Sequence, residues 1–257
     1  MTGMPPLALV TGGTRRLGAA IARRLAERGM ALALHVHTAR HVDDPLLATL
    51  KEEQIDWETF VADLSDEAAV AGLVPGVTRR FGRAPDILVN CASLFTDDDA
   101  ESATMARYVD HFRINVAAPA VLAQALAAAA RAEGRVAAIV NILDQRIARP
   151  HGDQLSYTAS KMALAEATRL LAVALAPHAR VNGVAPGLTI ETPAYSRGQM
   201  RRLAEAMPLG RLPTPDDVAD AVLWAIDARA ASGQIVYVDG GAALRSWPRD
   251  FVHLARD

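Results

Sequence analysis

Cysteine occurs once in the 257 residues, at Cys91, so neither an intrachain disulfide nor a cysteine metal cluster is available. Lysine occurs twice, at Lys51 and Lys161; the other cationic side chains are arginine. Neither sign of charge is in excess, with 27 Lys and Arg against 29 Asp and Glu and a formal charge of −2. That balance argues against nucleic-acid binding, which needs a cationic surplus to neutralise phosphates. With 51% hydrophobic residues it also excludes an intrinsically disordered chain. Met1–Pro6 lacks a basic region followed by an apolar run, so no signal peptide is expected. No stretch approaches the ~18 apolar residues, free of charges and turn formers, that a membrane span requires. Val116–Ala132 comes nearest, but it holds Pro119, Gln124 and Arg131 and reads as a packed helix. The expectation is a cytoplasmic protein with neither membrane nor nucleic acid as partner.

What is present is alternation. Leu7–Val10, Ala31–Val36, Trp57–Ala62, Ile87–Val89, Val136–Ile142, Arg180–Val184 and Ile235–Val238 are apolar runs of strand length. Helical patterns separate them. In the first, Leu17, Ile21 and Leu25 share one face, Arg23, Arg24 and Arg28 the other, and Gly29 ends the helix. The rest fall at roughly 43–53, 66–81, 102–132, 154–176 and 215–228. Strands apolar on both sides, alternating with helices, predict an α/β fold: a doubly wound parallel sheet of about seven strands with helices on both faces. Without linker, repeat or low-complexity block, residues 1–257 read as a single domain. Asp97-Asp98-Asp99 reads as a solvated charge run in a loop.

Thr11-Gly-Gly-Thr-Arg-Arg-Leu-Gly18 follows the first strand and opens the first helix. Backbone N–H groups at a helix N-terminus bind phosphate, so the segment suits a nucleotide, although a plain strand–helix turn would read the same way. Gly12 permits the tight turn and Gly18 close packing of the helix. An NAD-type site carries Asp or Glu about 20 residues further on, for the ribose 2′-hydroxyl. Here the second strand ends in His35-Val-His37-Thr38, and Arg15, Arg16 and Arg40 are nearby cations, which favours NADPH over NADH. The two histidines share a strand face, but no third metal ligand is evident and no metal is expected. Asp63, with Leu64, is either a partner for an adenine amino group or a helix N-cap in competition with Ser65. Asn90-Cys-Ala-Ser93 ends the fourth strand, and small residues such as Ala92 and Ser93 would let a cofactor lie against the backbone. Cys91 reads as a small filler, since no general base stands beside it in sequence.

Tyr157-Thr-Ala-Ser-Lys161 lies in a helical stretch, where residues i and i+4 share a face. A nearby ammonium favours the phenolate and lowers a phenol pKa, which suits acid–base catalysis. A surface pair on an amphipathic helix is the alternative.

With these segments in place, the chain resembles the short-chain dehydrogenases/reductases, a Rossmann-type family, over nearly its whole length. The resemblance is carried by TGGTRRLG (11–18), ADL (62–64), NCAS (90–93), Asn115 in FRIN, YTASK (157–161), VNGVAPG (181–187), PLGRLPTPDDVA (208–219) and VDGG (238–241). Two departures point to a branch: Arg16 stands where the family usually has glycine, and Asp144, in NILDQR, where it usually has a catalytic serine. Both look like pteridine and dihydromonapterin reductases, as do LHVH (34–37), NCASLF (90–95) and APGLT (185–189). The resemblance implies that Arg16 touches cofactor phosphate and pterin, and that Phe95 stacks on the pterin unless it is core filler. It places Ser93 beside the substrate and Leu17, Asn90, Pro186, Gly187 and Leu188 along the cofactor, with Thr189 bonding the carboxamide. Asp144, Tyr157 and Lys161 are the implied catalytic residues, with Asn115 anchoring a water that leads to Lys161. Thr38 departs from that branch, which often has a basic residue there, and 188–206, the expected substrate lid, matches poorly. Four copies packed through the long helices are implied, and within the C-terminal tail 242–257 the segment Ser246–Val252 is apolar enough to dock on a neighbour.

A carboxyl group at 144 would repel a developing alkoxide but could shuttle a proton to a ring nitrogen if burial raised its pKa. Reduction of a pterin C=N by NADPH is therefore the first expectation. A generic carbonyl or 3-oxoacyl reductase is the second, and an NADP-sensing protein without chemistry the third.

Overall fold

A strand covered on both faces needs apolar side chains at successive positions, and Leu7–Thr11 (β1) is buried at all five. Leu7 and Leu9 pack to one side of the sheet, Ala8 and Val10 to the other. The computed structural model describes residues 4–38, 41–190 and 195–256. The further strands are β2 (Ala31–Val36), β3 (Trp57–Val61), β4 (Ile87–Asn90), β5 (Ala137–Ile142), β6 (Ala179–Pro186) and β7 (Ile235–Val238). They form one seven-stranded sheet in the order β3-β2-β1-β4-β5-β6-β7, and every pairing is parallel. The edge strands β3 and β7 are only partly covered.

Helices α1 (Arg16–Glu27), α2 (Asp44–Glu52) and α8 (Pro215–Asp227) cover one face through Ile21, Leu25, Leu46, Leu50 and Val222. Helices α3 (Glu67–Phe81) and α5 (Ala118–Ala132) cover the other through Leu73, Val77, Leu122 and Leu126. Between them come α4 (Met105–Phe112), α6 (Leu155–Ala174) and α7 (Arg197–Ala206). Caps explain several boundaries. Asp66 accepts from the Ala68 and Ala69 N–H groups at the start of α3, and Thr214 with Asp217 forms a capping box on α8. Gly29 and Gly82, both at positive φ, follow the ends of α1 and α3.

Helices α4 and α5 are continuous through a π-helical turn at Arg113–Ala117. By length and composition, with a mean hydropathy of 1.4, the helix Met105–Ala132 could pass for a membrane span. Its apolar face is instead packed on the sheet: Leu122, Ala123, Leu126 and Ala130 are fully buried.

Two segments gain detail and one expectation is corrected. The range 188–206 contains a helix, α7, capped by Ser196; residues 191–194 lie outside those described. The tail packs on its own chain: Phe251 is buried with Leu203, Met207 and Ala242. Asp98 is not solvated, because it is buried and accepts from both the N–H and the hydroxyl of Ser156 at the start of α6.

Candidate active site

The strand order turns back between β1 and β4, and ligands in open parallel sheets bind at the carboxyl ends beside such a point. A cavity of about 570 Å³ lies there. Its walls are the turn Gly12–Gly18, the end of β2 through Thr38, Asp63 and Leu64 after β3, and Cys91–Leu94 after β4.

The turn is shaped by its glycines and by a histidine. Gly12 has φ +64°, and a Cβ there would lie 3.1 Å from the Ala92 Cα. A Cβ on Gly18 would overlap the Gly12 carbonyl oxygen, so α1 can start this close to β1 only with glycine at that place. His35 is buried; its Nδ1 accepts from the Gly12 N–H at 3.2 Å and its Nε2 donates to the Ala62 carbonyl at 2.9 Å. Burial holds its imidazole below the usual range, so the ring is neutral and keeps one tautomer. The Arg16 N–H donates to Asp43 at 3.0 Å. The Leu17 and Gly18 N–H groups find no acceptor among the described residues, and both residues line the cavity. With the exposed Arg15 and Arg16 they make a positive rim at the start of α1. Arg16 holds φ +54°, the left-handed region, which explains why glycine is the unstrained choice there.

Beyond the cavity, two elements meet. After β5, Asp144 caps the short turn Gln145–Ile147 by accepting from the Arg146 N–H at 3.0 Å. On α6, Tyr157 and Lys161 stand one turn apart. The Tyr157 hydroxyl donates to Asp144 Oδ2 at 3.1 Å, and Lys161 Nζ donates to the Ile142 carbonyl at 2.8 Å. Asp144 Oδ1 also accepts from Arg146 Nε at 3.1 Å. Burial and the Asp144 carboxylate hold the Tyr157 phenol well above its ordinary range. Burial brings the Lys161 ammonium down to about 8. Phe95 meets Tyr157 edge-on with ring centres 4.8 Å apart and is 53% exposed, so it is not core filler. The arrangement can hold a nucleotide phosphate at one end and a proton donor under an aromatic wall at the other.

A family model described as enoyl-(acyl carrier protein) reductase matches residues 12–243. The chain belongs to the short-chain dehydrogenase/reductase family. It is similar to pteridine reductase 1 of Leishmania tarentolae, 33% identical over 291 residues covering 95% of this chain and 99% of that one. It is equally similar to the 3α-hydroxysteroid dehydrogenase of Mediterraneibacter gnavus, 33% identical over 92% of this chain and 96% of the relative. Among solved structures, FolM alternative dihydrofolate reductase 1 from Brucella canis, complexed with NADP, superposes with a TM-score of 0.83 at 35% identity, covering 95% of this chain and 96% of that chain. The protein is thus an oxidoreductase of this family, with the seven-stranded parallel sheet of its structural neighbours.

Within this oxidoreductase the expected residues separate. Gly12, Arg15, Arg16, Leu17, Gly18, His37, Thr38, Asp63, Leu64, Ala92 and Ser93 all line the cavity. Asp63 does not cap α3; it accepts from the Ser65 N–H and hydroxyl, and Asp66 is the cap. Arg40 lies outside the described residues. The Asn90 side chain is buried and donates to Asn141 Oδ1 at 2.8 Å, which leaves only its backbone for the cofactor contact expected there. The Asn115 side chain has its own partners. Its amide accepts from the Leu94 N–H at 2.8 Å and donates to the Leu94 carbonyl and the Ser160 hydroxyl. With Ser93 also donating to it, the side chain is saturated and holds the loop after β4 against α6 directly. Pro186 is buried at the end of β6, Gly187 donates to Val238, Leu188 packs towards α7, and the Thr189 hydroxyl donates to the Gly187 carbonyl at 2.8 Å. From this segment it is Ile190 that reaches the cavity.

One expectation about charge changes as well. Lys161 gives one of its three N–H donors to the Ile142 carbonyl and lies 5.7 Å from the Tyr157 ring centre, yet the phenol is raised, and the cation that opposes the rise is Arg146. Asp144 accepts three hydrogen bonds, one of them from the Tyr157 hydroxyl. Desolvation pushes the Cys91 thiol up to about 11 despite nearby Lys161, which leaves it inert. His35, His41 and Arg146 carry little signal in the sequence. Arg146 merely stands two residues after Asp144, and the His-x-His spacing of His35 suggests at most a metal pair, whereas no group of metal-ligating side chains occurs among the described residues.

Gly18→Ala should cost roughly 1–3 kcal/mol or more, because the new methyl meets backbone that cannot move aside. Chemical denaturation compared with Gly152→Ala, a position with open space and no left-handed backbone, checks it.

Proposed function

We propose that this short-chain reductase uses NADPH to reduce a pterin-type C=N bond. The observation that carries the reading is the Asp144–Tyr157 hydrogen bond: a carboxylate, where a carbonyl reductase needs a hydroxyl donor, meets the proton-bearing phenol. A carboxylate repels an alkoxide forming on a carbonyl carbon, whereas a ring nitrogen gaining a proton places no negative charge beside it. Half-exposed Phe95 offers a flat apolar face for a heterocycle next to that proton. The likeness to pteridine reductase 1 and to FolM supports the same choice.

The cavity fits a dinucleotide in its donors and in its crowding. The unpaired Leu17 and Gly18 N–H groups suit a pyrophosphate, and the absent side chain of Gly12 leaves room against Ala92. Arg15, Arg16, His37 and Thr38, which line the cavity, would receive a 2′-phosphate, and Asp63 and Leu64 would flank an adenine. NADPH, when bound, supplies hydride. Lys161 holds positive charge beneath the site from its anchor on Ile142. Tyr157 carries the proton, and Asp144 fixes its hydroxyl in one direction. Assembly of four copies belongs to this reading, supported by the exposed apolar Met105, Phe112, Leu170 and Val173 on the long helices.

A ketone or 3-oxoacyl reductase is the competing reading, favoured by the steroid dehydrogenase relative. NADPH-dependent turnover of dihydrobiopterin or dihydromonapterin, lost in Tyr157→Phe with NADPH binding retained, is the expected outcome. Robust ketone turnover without pterin turnover refutes the proposal. Lys161 is an ammonium below about 8 and neutral above it, so reductive turnover should fall as the pH rises through that value. A rate still flat well above it would separate Lys161 from the proton step. Arg16→Gly relieves a left-handed backbone and should raise stability by up to about 1 kcal/mol, yet weaken NADPH far more than NADH. Equal weakening of both would remove Arg16 from 2′-phosphate recognition.

A further inference from the structure

Arg146 is tied to more than its neighbour. Its side chain is 9% exposed, and each arm of the guanidinium has its own partner. Nε meets Asp144, Nη1 donates to Gln154 Oε1 at 2.9 Å, and Nη2 donates to Asp250 Oδ2 at 2.8 Å. The guanidinium carbon lies 5.2 Å from the centre of the Tyr157 ring and 6.0 Å from that of Phe95. One carboxylate would balance its charge; the second arrives from the C-terminal tail, 104 residues further on.

That second carboxylate is itself held. The Asp250 N–H donates to Asp153 at 2.7 Å, and its Oδ1 accepts from the Val252 N–H at 2.9 Å. On α7, Gln199 Nε2 donates to the Phe251, Val252 and Leu254 carbonyls. A planar fork fixed at three points cannot turn. With the Arg146 N–H and Nε both on Asp144 Oδ1, Oδ2 is left to Tyr157.

We propose that Arg146 is a positioning residue that aims Asp144 at Tyr157, and that the C-terminal tail, through Asp250, holds Arg146 in place, so the end of the chain completes its own proton-handling pair. This rests on the reductase reading of the site. The charged and titratable groups around the fork are Asp144, Asp250 and Tyr157. His151 lies behind it, 3.9 Å from Asp250 and 3.8 Å from Asp153, and Arg249 pairs with Asp153. Asp97 reaches the fork through Gln154, and Tyr195 and Lys161 feel its charge. Removing the guanidinium leaves Asp144 unopposed, which favours the proton on both Tyr157 and Lys161. The alkaline fall of kcat then moves to higher pH in Arg146→Met and, by the opposite sign, to lower pH in Asp144→Asn.

The test compares wild type, Arg146→Met, Asp250→Asn and the double variant, with NADPH binding followed by fluorescence. Arg146→Met should lose about tenfold or more in kcat and Asp250→Asn a smaller factor, with NADPH affinity unchanged. Asp250→Asn should add nothing in the Arg146→Met background. A wild-type kcat and pH profile in Asp250→Asn, multiplicative effects in the double variant, or parallel loss of NADPH affinity each overturns the proposal. Nitrogen NMR of the free protein gives a readout independent of turnover, and of whether Arg146→Met folds. Separate, slowly exchanging guanidinium signals for Arg146 in wild type should merge in Asp250→Asn; their persistence there overturns the role of the tail. If wild type reduces neither pterins nor ketones, the reductase reading fails while this measurement still decides the anchor.

Discussion

The hydrogen bond from the Tyr157 phenol to the Asp144 carboxylate joins the loop after β5 to helix α6, and the surrounding structure exists to keep it in place. A buried phenol and a buried ammonium share one helix face beside a partly buried carboxylate, an arrangement that is stable only when each has partners. Lys161 is satisfied by the Ile142 carbonyl, Asp144 by both donors of Arg146, and Arg146 by Gln154 and Asp250. Asn115, from the π-helical turn, ties the loop after β4 to Ser160 on the same helix. Three stretches distant in sequence are thereby locked around one proton.

The two ends of the site are built from opposite materials. At the carboxyl ends of β1 and β2, backbone does the work: two glycines admit a close approach, and neutral His35 secures the turn without adding charge. Arg16 accepts a strained conformation to put a cation on that rim, the kind of local cost that function imposes. At the carboxyl end of β5, side chains do the work, and the guanidinium of Arg146 over the Tyr157 ring keeps the carboxylate from dominating it.

Much of this was legible in the residues themselves. Apolar runs became strands at nearly the same positions, because doubly covered strands need unbroken apolar character, and Tyr157 and Lys161 shared a face because helical spacing demands it. What the sequence leaves open has a common cause. Asp98 reads as part of a solvated triplet, the role of the Asn90 side chain is undetermined and so is what the tail packs on. Each is decided by what lies opposite in space: Ser156, Asn141 and the α7 core respectively. Helix α7 carries no helical signal in the sequence, because its polar stretch buries only Gln199 and Leu203, too few apolar positions to show a period.

Sequence by itself determined the alternation of strands and helices, the glycine turn and the pairing of Tyr157 with Lys161, since all three rest on local spacing. Tertiary structure alone decided which atoms meet: that His35 secures the turn, that Asn115 clamps a loop, and that Asp250 from the last residues reaches Arg146. Long-range hydrogen bonds depend on side-chain direction and burial at both ends, and neither is written in the spacing of residues along the chain.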